Sequence, residues 1–281
     1  RNTMSLRRRN RRLRELPVNS LIPNILTVLA LCAGMSAIRF AMQARWELAV
    51  AAIIAAGILD GLDGRMARLL KGATKFGAEL DSLSDFIAFG VAPALVVYMW
   101  STEALGGVGW VAGLAYSTCC ALRLARFNTA LEDPDRPAWA NLFFTGMAAP
   151  AGAFIALLPL TVSFQIGDGF LREPALMALW LLAVAFMMIS RIPTYSFKRV
   201  RVKRETVLPV LVVVGIVAAV LASYPWFGLS ILGVLYLGSI PFSYRAQQRY
   251  AEMQPAVEET GGQVSDKTNG ISSEPGNKER L

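Results

Sequence analysis

Asp60-Gly61-Leu62-Asp63-Gly64-Arg65-Met66-Ala67-Arg68 closes one apolar run, Trp46–Leu62, and Gly77-Ala78-Glu79-Leu80-Asp81-Ser82-Leu83-Ser84-Asp85 opens the next, Phe76–Met99. Acids rarely sit at or inside the ends of segments of membrane-crossing length, because an ionised carboxylate near lipid is costly and is kept where a partner repays it. Around this pair the chain offers further runs near the roughly 20 apolar residues that a crossing helix needs. They are Leu21–Ile38, Val108–Leu124, Phe143–Phe164, Pro174–Ser190, Val207–Tyr224 and Trp226–Phe242. The pattern predicts an all-α, polytopic transmembrane bundle of about eight spans, the last two joined by a tight turn at Tyr224-Pro225-Trp226.

Composition agrees. Of 281 residues 54% are hydrophobic and only 17% charged, against about 25% charged in soluble domains, and the mean hydropathy is +0.45. Histidine is absent, which excludes a histidine-based triad, zinc site or haem ligand. Cys32, Cys119 and Cys120 lie in apolar runs without disulfide or metal-ligand spacing and read as small core hydrophobes. Trp46, Trp100, Trp110 and Trp226 fall near span ends, where aromatic rings favour the headgroup layer.

Threading eight spans places 25 of the 28 basic residues on one side and only Arg39, Arg45 and Arg172 on the other, which predicts both termini in the cytoplasm. The net charge of +8 therefore reports topology and contact with anionic lipid, strongest at Arg7-Arg8-Arg9-Asn10-Arg11-Arg12-Leu13-Arg14; no nucleic-acid partner is expected. No cleavable signal peptide is expected either. The organisation predicted is a basic cytoplasmic segment at 1–20, a six-helix core at 21–200, a helix pair at 205–244 and a disordered cytoplasmic tail at 245–281.

On a helix, positions 60, 63, 64, 67 and 68 share one stripe, carrying Asp, Asp, Gly, Ala and Arg. Gly77, Asp81 and Asp85 repeat the device at i, i+4 and i+8, whereas Glu79 points elsewhere. Two helices thus each present two carboxylates on a stripe kept narrow by small residues, which let a ligand or another backbone approach. Four such carboxylates in a low dielectric require neutralising cations. An all-oxygen set without histidine or thiolate selects Mg²⁺ or Mn²⁺, and two ions side by side suit phosphoryl transfer. The bland alternative, salt bridges to Arg65, Arg68 and Lys71, leaves the glycines on the stripe unexplained.

These residues fill every position of Asp-x-x-Asp-Gly-x-x-Ala-Arg followed by Gly-x-x-x-Asp-x-x-x-Asp: Asp60, Asp63, Gly64, Ala67, Arg68, Gly77, Asp81 and Asp85. The pattern resembles the signature of the CDP-alcohol phosphatidyltransferase family, over roughly residues 18–200, and Pro23-Asn24-Ile25-Leu26-Thr27 resembles the start of that family's first helix. Phe89-Gly90-Val91-Ala92-Pro93-Ala94, Arg123-Leu124-Ala125-Arg126-Phe127-Asn128, Phe144-Thr145-Gly146-Met147 and Ser190–Lys198 are similar to the bacterial phosphatidylserine synthase branch. Ala148 departs from it, standing where that branch has proline before Ala149-Pro150.

The resemblance implies CDP-diacylglycerol and L-serine as substrates, a homodimer, and a bacterial-type inner membrane with the site on its cytoplasmic side. It implies metal binding by Asp60, Asp63 and Asp81, with Asp85 completing the metal site or acting as base toward the serine hydroxyl. Asp60, Gly64, Ala67, Arg68 and Gly77 would line the nucleotide pocket. A carboxylate-bearing acceptor calls for basic partners, for which Arg123, Arg126 and Asn128 at the end of the fourth span are candidates, and Arg191 and Lys198 are candidates for phosphate. Another acceptor alcohol (glycerol 3-phosphate, inositol phosphate or choline) would leave the metal motif unchanged. A divalent-cation transporter would spread its acids through the membrane depth, whereas these cluster at the ends of two helices. Pro93 and Pro150 are expected inside spans, kinking them.

Overall fold

A computed structural model describes residues 21–70, 74–132, 144–190, 193–194 and 207–240. Eight helices occupy the described residues: α1 (Leu21–Met42), α2 (Trp46–Leu69), α3 (Lys75–Trp100), α4 (Gly107–Glu132), α5 (Ala149–Ile166), α6 (Pro174–Ile189), α7 (Val207–Ser223) and α8 (Pro225–Ile240). α1, α3, α4 and α5 are long and apolar enough to cross a bilayer, while α6, α7 and α8 are equally apolar but shorter. α2 has the length, with 24 residues, but its last third carries the charges of the Asp60–Arg68 stretch.

The residues α1 buries are Pro23, Thr27, Ala30, Gly34, Ala37 and Ala41. Their steps of four and three trace a seam of small side chains, the spacing of a left-handed helix pair. α2 folds back against that seam through Ala49, Val50, Ile53 and Ala56, after a turn in which Ala44 takes a left-handed φ of 55°. Farther along, α1 meets α3 backbone to backbone: a Cβ on Gly34 would fall 2.7 Å from the Cα of Ala88.

Prolines break two helices, and neighbours repair the damage. α3 passes through a π-helical segment, Phe86–Val91, just before Pro93, whose missing N–H leaves the Phe89 carbonyl without its helical donor. Tyr116 of α4 donates its hydroxyl to that carbonyl at 2.9 Å, and Ser117 donates to Gly90 at 3.1 Å. In α5 the helix is interrupted at Leu157 beside Pro159, and the Ile155 carbonyl accepts from the Trp180 indole N–H of α6 at 3.0 Å. A backbone polar group unpaired in hydrocarbon costs several kcal/mol, so both partners are required by the prolines. Tyr116, Phe89, Trp100, Met147 and Met188 are among the largest fully buried side chains, spread along the interior of the bundle.

Two expectations change. Pro150 lies in the first turn of its helix rather than inside a span, where a missing N–H is harmless. The segment expected to be helical from Phe143 instead places Phe144 and Thr145 in a two-residue antiparallel bridge with Thr194 and Pro193. At Gly146, next in the chain and with φ +82°, a Cβ would lie 2.6 Å from the Met188 carbonyl oxygen, so no side chain fits. Of the cysteines, Cys120 is buried as expected, Cys119 half-buried and Cys32 exposed; all three are free thiols.

The terminal pair is asymmetric. α8 docks on α5 through a Gln165–Ser230 hydrogen bond of 2.9 Å, an edge-to-face contact of Phe164 with Trp226, and Gly233, where a Cβ would run into Leu158. α7 exposes residues 208–219 along its whole circumference.

Candidate active site

The end of α2 and the start of α3 come together against the first turns of α1. α3 starts at Thr74, whose hydroxyl caps the helix by accepting from the Gly77 N–H at 3.0 Å. With no side chain at Gly77, Asn24 of α1 lies directly against it: a Cβ there would stand 2.7 Å from Asn24 Oδ1. Two further bonds tie the helices. Thr27 Oγ1 donates to Asp63 Oδ2 at 2.8 Å, and Ser84 of α3 donates to the Thr27 carbonyl at 3.1 Å.

In this frame Asp60, Asp63 and Asp81 each aim a carboxylate oxygen to within 4.8 Å of the other two. Asp85 reaches the same cluster through contact between its carboxyl group and that of Asp60. Asp63 is 5% exposed, and its side-chain donor is the neutral hydroxyl of Thr27. The salt-bridge alternative fails for Arg65 and Arg68: the one ion pair among the described residues is Arg172–Asp168, and neither arginine is a partner of the cluster. Lys71 lies outside the described residues. Like charges this close, with no ion pair to any described side chain, and an all-oxygen donor set fit a hard divalent cation. Glu79 is directed away from the cluster, as its position on the helix requires.

Beside the cluster is a cavity of about 170 Å³ lined by Asn24 and Thr27 of α1, Asp63, Gly64 and Ala67 of α2, and Thr74, Gly77, Ala78 and Asp81. A Cβ on Gly64 would meet nothing within 4 Å; that glycine leaves open space rather than admitting a neighbouring helix. Asp63, Gly64, Ala67, Gly77 and Asp81 thus come together as their spacing predicts. Arg68 does not: it is exposed and outside the cavity wall.

On the far side of Asp85 the end of α4 supplies the basic residues. The Arg123 Nε is buried with no hydrogen-bond partner, and its guanidinium lies within electrostatic reach of Asp85, Cys120 and Tyr236. Asn128 donates to the Ser82 hydroxyl at 2.8 Å, fastening α4 to the turn that holds Asp81. Arg126 is exposed. Arg191 and Lys198 lie outside the described residues. Sequence reasoning did not assign Asn24, Thr27 or Thr74 to the site. Thr27 had a signal, as the polar member of the four-three seam of α1.

Comparison with known proteins agrees with this geometry. The sequence model of the CDP-alcohol phosphatidyltransferase family matches residues 20–235. The CDP-diacylglycerol–serine O-phosphatidyltransferase of Mycobacterium bovis is 40% identical over 237 residues, covering 84% of this chain and 82% of its own. The protein of that name from Helicobacter pylori is 34% identical over 226 residues, 79% of this chain and 91% of its own. Its Bacillus subtilis counterpart is 32% identical over 179 residues, 63% and 92% of the two chains. With its aspartates converging where the family motif sets them, the chain is an integral-membrane member of the CDP-alcohol phosphatidyltransferase family.

Proposed function

We propose that this protein transfers the phosphatidyl group of CDP-diacylglycerol to the hydroxyl of L-serine, giving phosphatidylserine and CMP. The observation that carries the reading is the convergence of Asp60, Asp63 and Asp81 within 4.8 Å beside the glycine-walled cavity. Relatives that cover most of the chain and bear the name of this activity support the choice of serine.

Asp60, Asp63 and Asp81 would hold one or two Mg²⁺ or Mn²⁺ ions, with Asp85 completing the set, and ions bound there would neutralise the diphosphate and the charge developing on the departing CMP. Gly64, Ala67 and Gly77 give the nucleotide room to approach, with Asp60 and Arg68 at its edges. The serine oxygen attacks the lipid-linked phosphorus in line, the bond from that phosphorus to the bridging oxygen breaks, and CMP leaves with the electron pair. The hydroxyl proton passes to Asp85, about 6 Å deeper than Asp81 along α3 at 1.5 Å per residue. Arg123 faces the serine carboxylate, Asn128 steadies the Asp81 turn, and Arg126, Arg191 and Lys198 supply positive charge for phosphate and anionic lipid. An apolar recess of about 370 Å³ between α3 and α4 begins at Phe86, the residue after Asp85, and suits an acyl chain of the lipid.

The site belongs, in this proposal, to the cytoplasmic face of an inner membrane, in a homodimer whose protomers each cross eight times with both termini inside. Incubating the purified protein with CDP-diacylglycerol and each alcohol in turn tests the acceptor. CMP release with phosphatidylserine formation is expected for serine, abolished by EDTA and restored by Mg²⁺ or Mn²⁺. Turnover with glycerol 3-phosphate and none with serine would replace the acceptor assigned here.

A further inference from the structure

Thr27 of α1 is bonded to both helices that carry the aspartates. Its Oγ1 donates to Asp63 Oδ2 of α2 at 2.8 Å, and its carbonyl accepts from Ser84 Oγ of α3 at 3.1 Å. Thr27, Asp63 and Ser84 are 4%, 5% and 2% exposed, so water hardly competes for either bond. Ser84 lies one helical turn from Asp81. A single residue of α1 therefore orients one carboxylate of the cluster and ties it to the helix that presents another.

The hydroxyl has little freedom of its own. Oγ1 also lies 3.0 Å from the carbonyl of Pro23, four residues back, a contact that fixes the rotamer of a helical threonine. One proton faces two acceptors, and the carboxylate, closer and charged, is the stronger. Asp63 is thus pinned through Oδ2 by a donor whose place is set by its own helix.

That pinning bears on which ion the cluster accepts. Mg²⁺ demands a short, near-octahedral shell, which suits a carboxylate held in a fixed direction. The larger Ca²⁺ tolerates irregular shells and takes carboxylates through one oxygen or both, which suits a carboxylate free to turn. We propose that Thr27 is a positioning residue that sets the ion preference: by holding the Asp63 carboxylate in one orientation it favours Mg²⁺ over Ca²⁺. The inference rests on the metal reading of the aspartates given above and not on the choice of serine.

The test uses the full-length purified protein in phosphatidylcholine nanodiscs, which carry no net charge to bind the ions themselves. Isothermal titration with MgCl₂ and with CaCl₂, without substrate, gives a Kd for each ion. The parent is expected to bind Mg²⁺ more tightly. Thr27→Val keeps the shape and removes the hydroxyl; it should shift the ratio of the two Kd values about fivefold toward Ca²⁺, the worth of one hydrogen bond. Thr27→Ala, a better helix former, carries the same prediction with less bulk. Thr27→Ser restores the hydroxyl and should return the ratio to within about twofold of the parent. Ala30→Gly loosens the same buried seam one turn away. It should lower the metal-free melting temperature and leave the ratio in place.

A ratio unchanged in both Thr27→Val and Thr27→Ala overturns the proposal. So does a shift in Thr27→Ser as large as that in Thr27→Val, a shift of that size from Ala30→Gly, or a parent that binds Ca²⁺ as tightly as Mg²⁺. A parent that binds neither ion overturns the metal reading first, and this inference with it. The expected ratios in a protein that ignores serine would support the inference and remove only the acceptor.

Discussion

A Cβ on Gly34 would fall 2.7 Å from the Cα of Ala88, whereas a Cβ on Gly64 would meet nothing within 4 Å. Both glycines sit on helix faces among small residues, and in a membrane sequence both invite the same explanation of close helix packing. Along the α1–α3 contact that explanation is right. At the end of α2 it is wrong, because the small residues there wall a cavity whose other sides are carboxylates and hydroxyls. Packing and ligand space are thus written in the same residue type, and only the neighbours tell them apart.

That contrast is open to attack by substitution. The largest effect belongs to the acidic side: Asp60→Asn or Asp81→Asn should cut CMP release by at least about 10³-fold, about 4 kcal/mol of transition-state stabilisation. The same variants should melt no lower than the parent in metal-free buffer, because a like charge has been removed from a crowded cluster. A large fall in melting temperature would give these carboxylates a structural role and erase the distinction. Next comes Gly34→Leu, which forces a side chain into backbone and should cost about 3 kcal/mol of stability, seen as an early-melting protein. Gly64→Val should leave melting unchanged and raise KM for CDP-diacylglycerol about tenfold, since bulk would then occupy the cavity proposed for the nucleotide. Equal destabilisation by the two glycine variants would show that both regions are packing surfaces. The smallest change expected is for Thr27→Val, which removes one hydrogen bond from Asp63, worth about 1 kcal/mol. It should shift the Mg²⁺ or Mn²⁺ concentration for half-maximal activity a few-fold while maximal turnover stays close to the parent value.

Much of this architecture is legible in the residues alone, for identifiable reasons. Helical periodicity puts Asp60, Asp63 and Gly64 on one face and Asp81 and Asp85 on another, and it sends Glu79 outward. Apolar run length locates each helix to within a few residues at most ends, although α2 and α4 continue for two turns past the apolar run, through the polar residues of the site. What fails has a local cause. Pro150 is misplaced because hydropathy counts Phe143–Met147 as span, whereas a bridge to Pro193–Thr194 and the left-handed Gly146 take that stretch out of the helix. Arg68 is exposed and falls outside the cavity although its position shares the Asp60 stripe. Asn24 and Thr27 are invisible to spacing within α2 and α3, since both reach the site from α1. The difference between α7 and α8 is likewise hidden, both being apolar on every side.

The π-helical segment at Phe86–Val91 lies between the aspartates of α3 and the buried Trp100. Each residue of a helix advances it by about 100°, so the length of that segment dials the azimuth at which Asp81 and Asp85 emerge. With the Phe89 and Gly90 carbonyls claimed by Tyr116 and Ser117, the elbow is locked at one setting. Removing a single residue from it would leave a rod just as greasy and nearly as long, but one whose acids had swung a quarter-turn away from those of α2, and the two halves of the carboxylate cluster would no longer face each other.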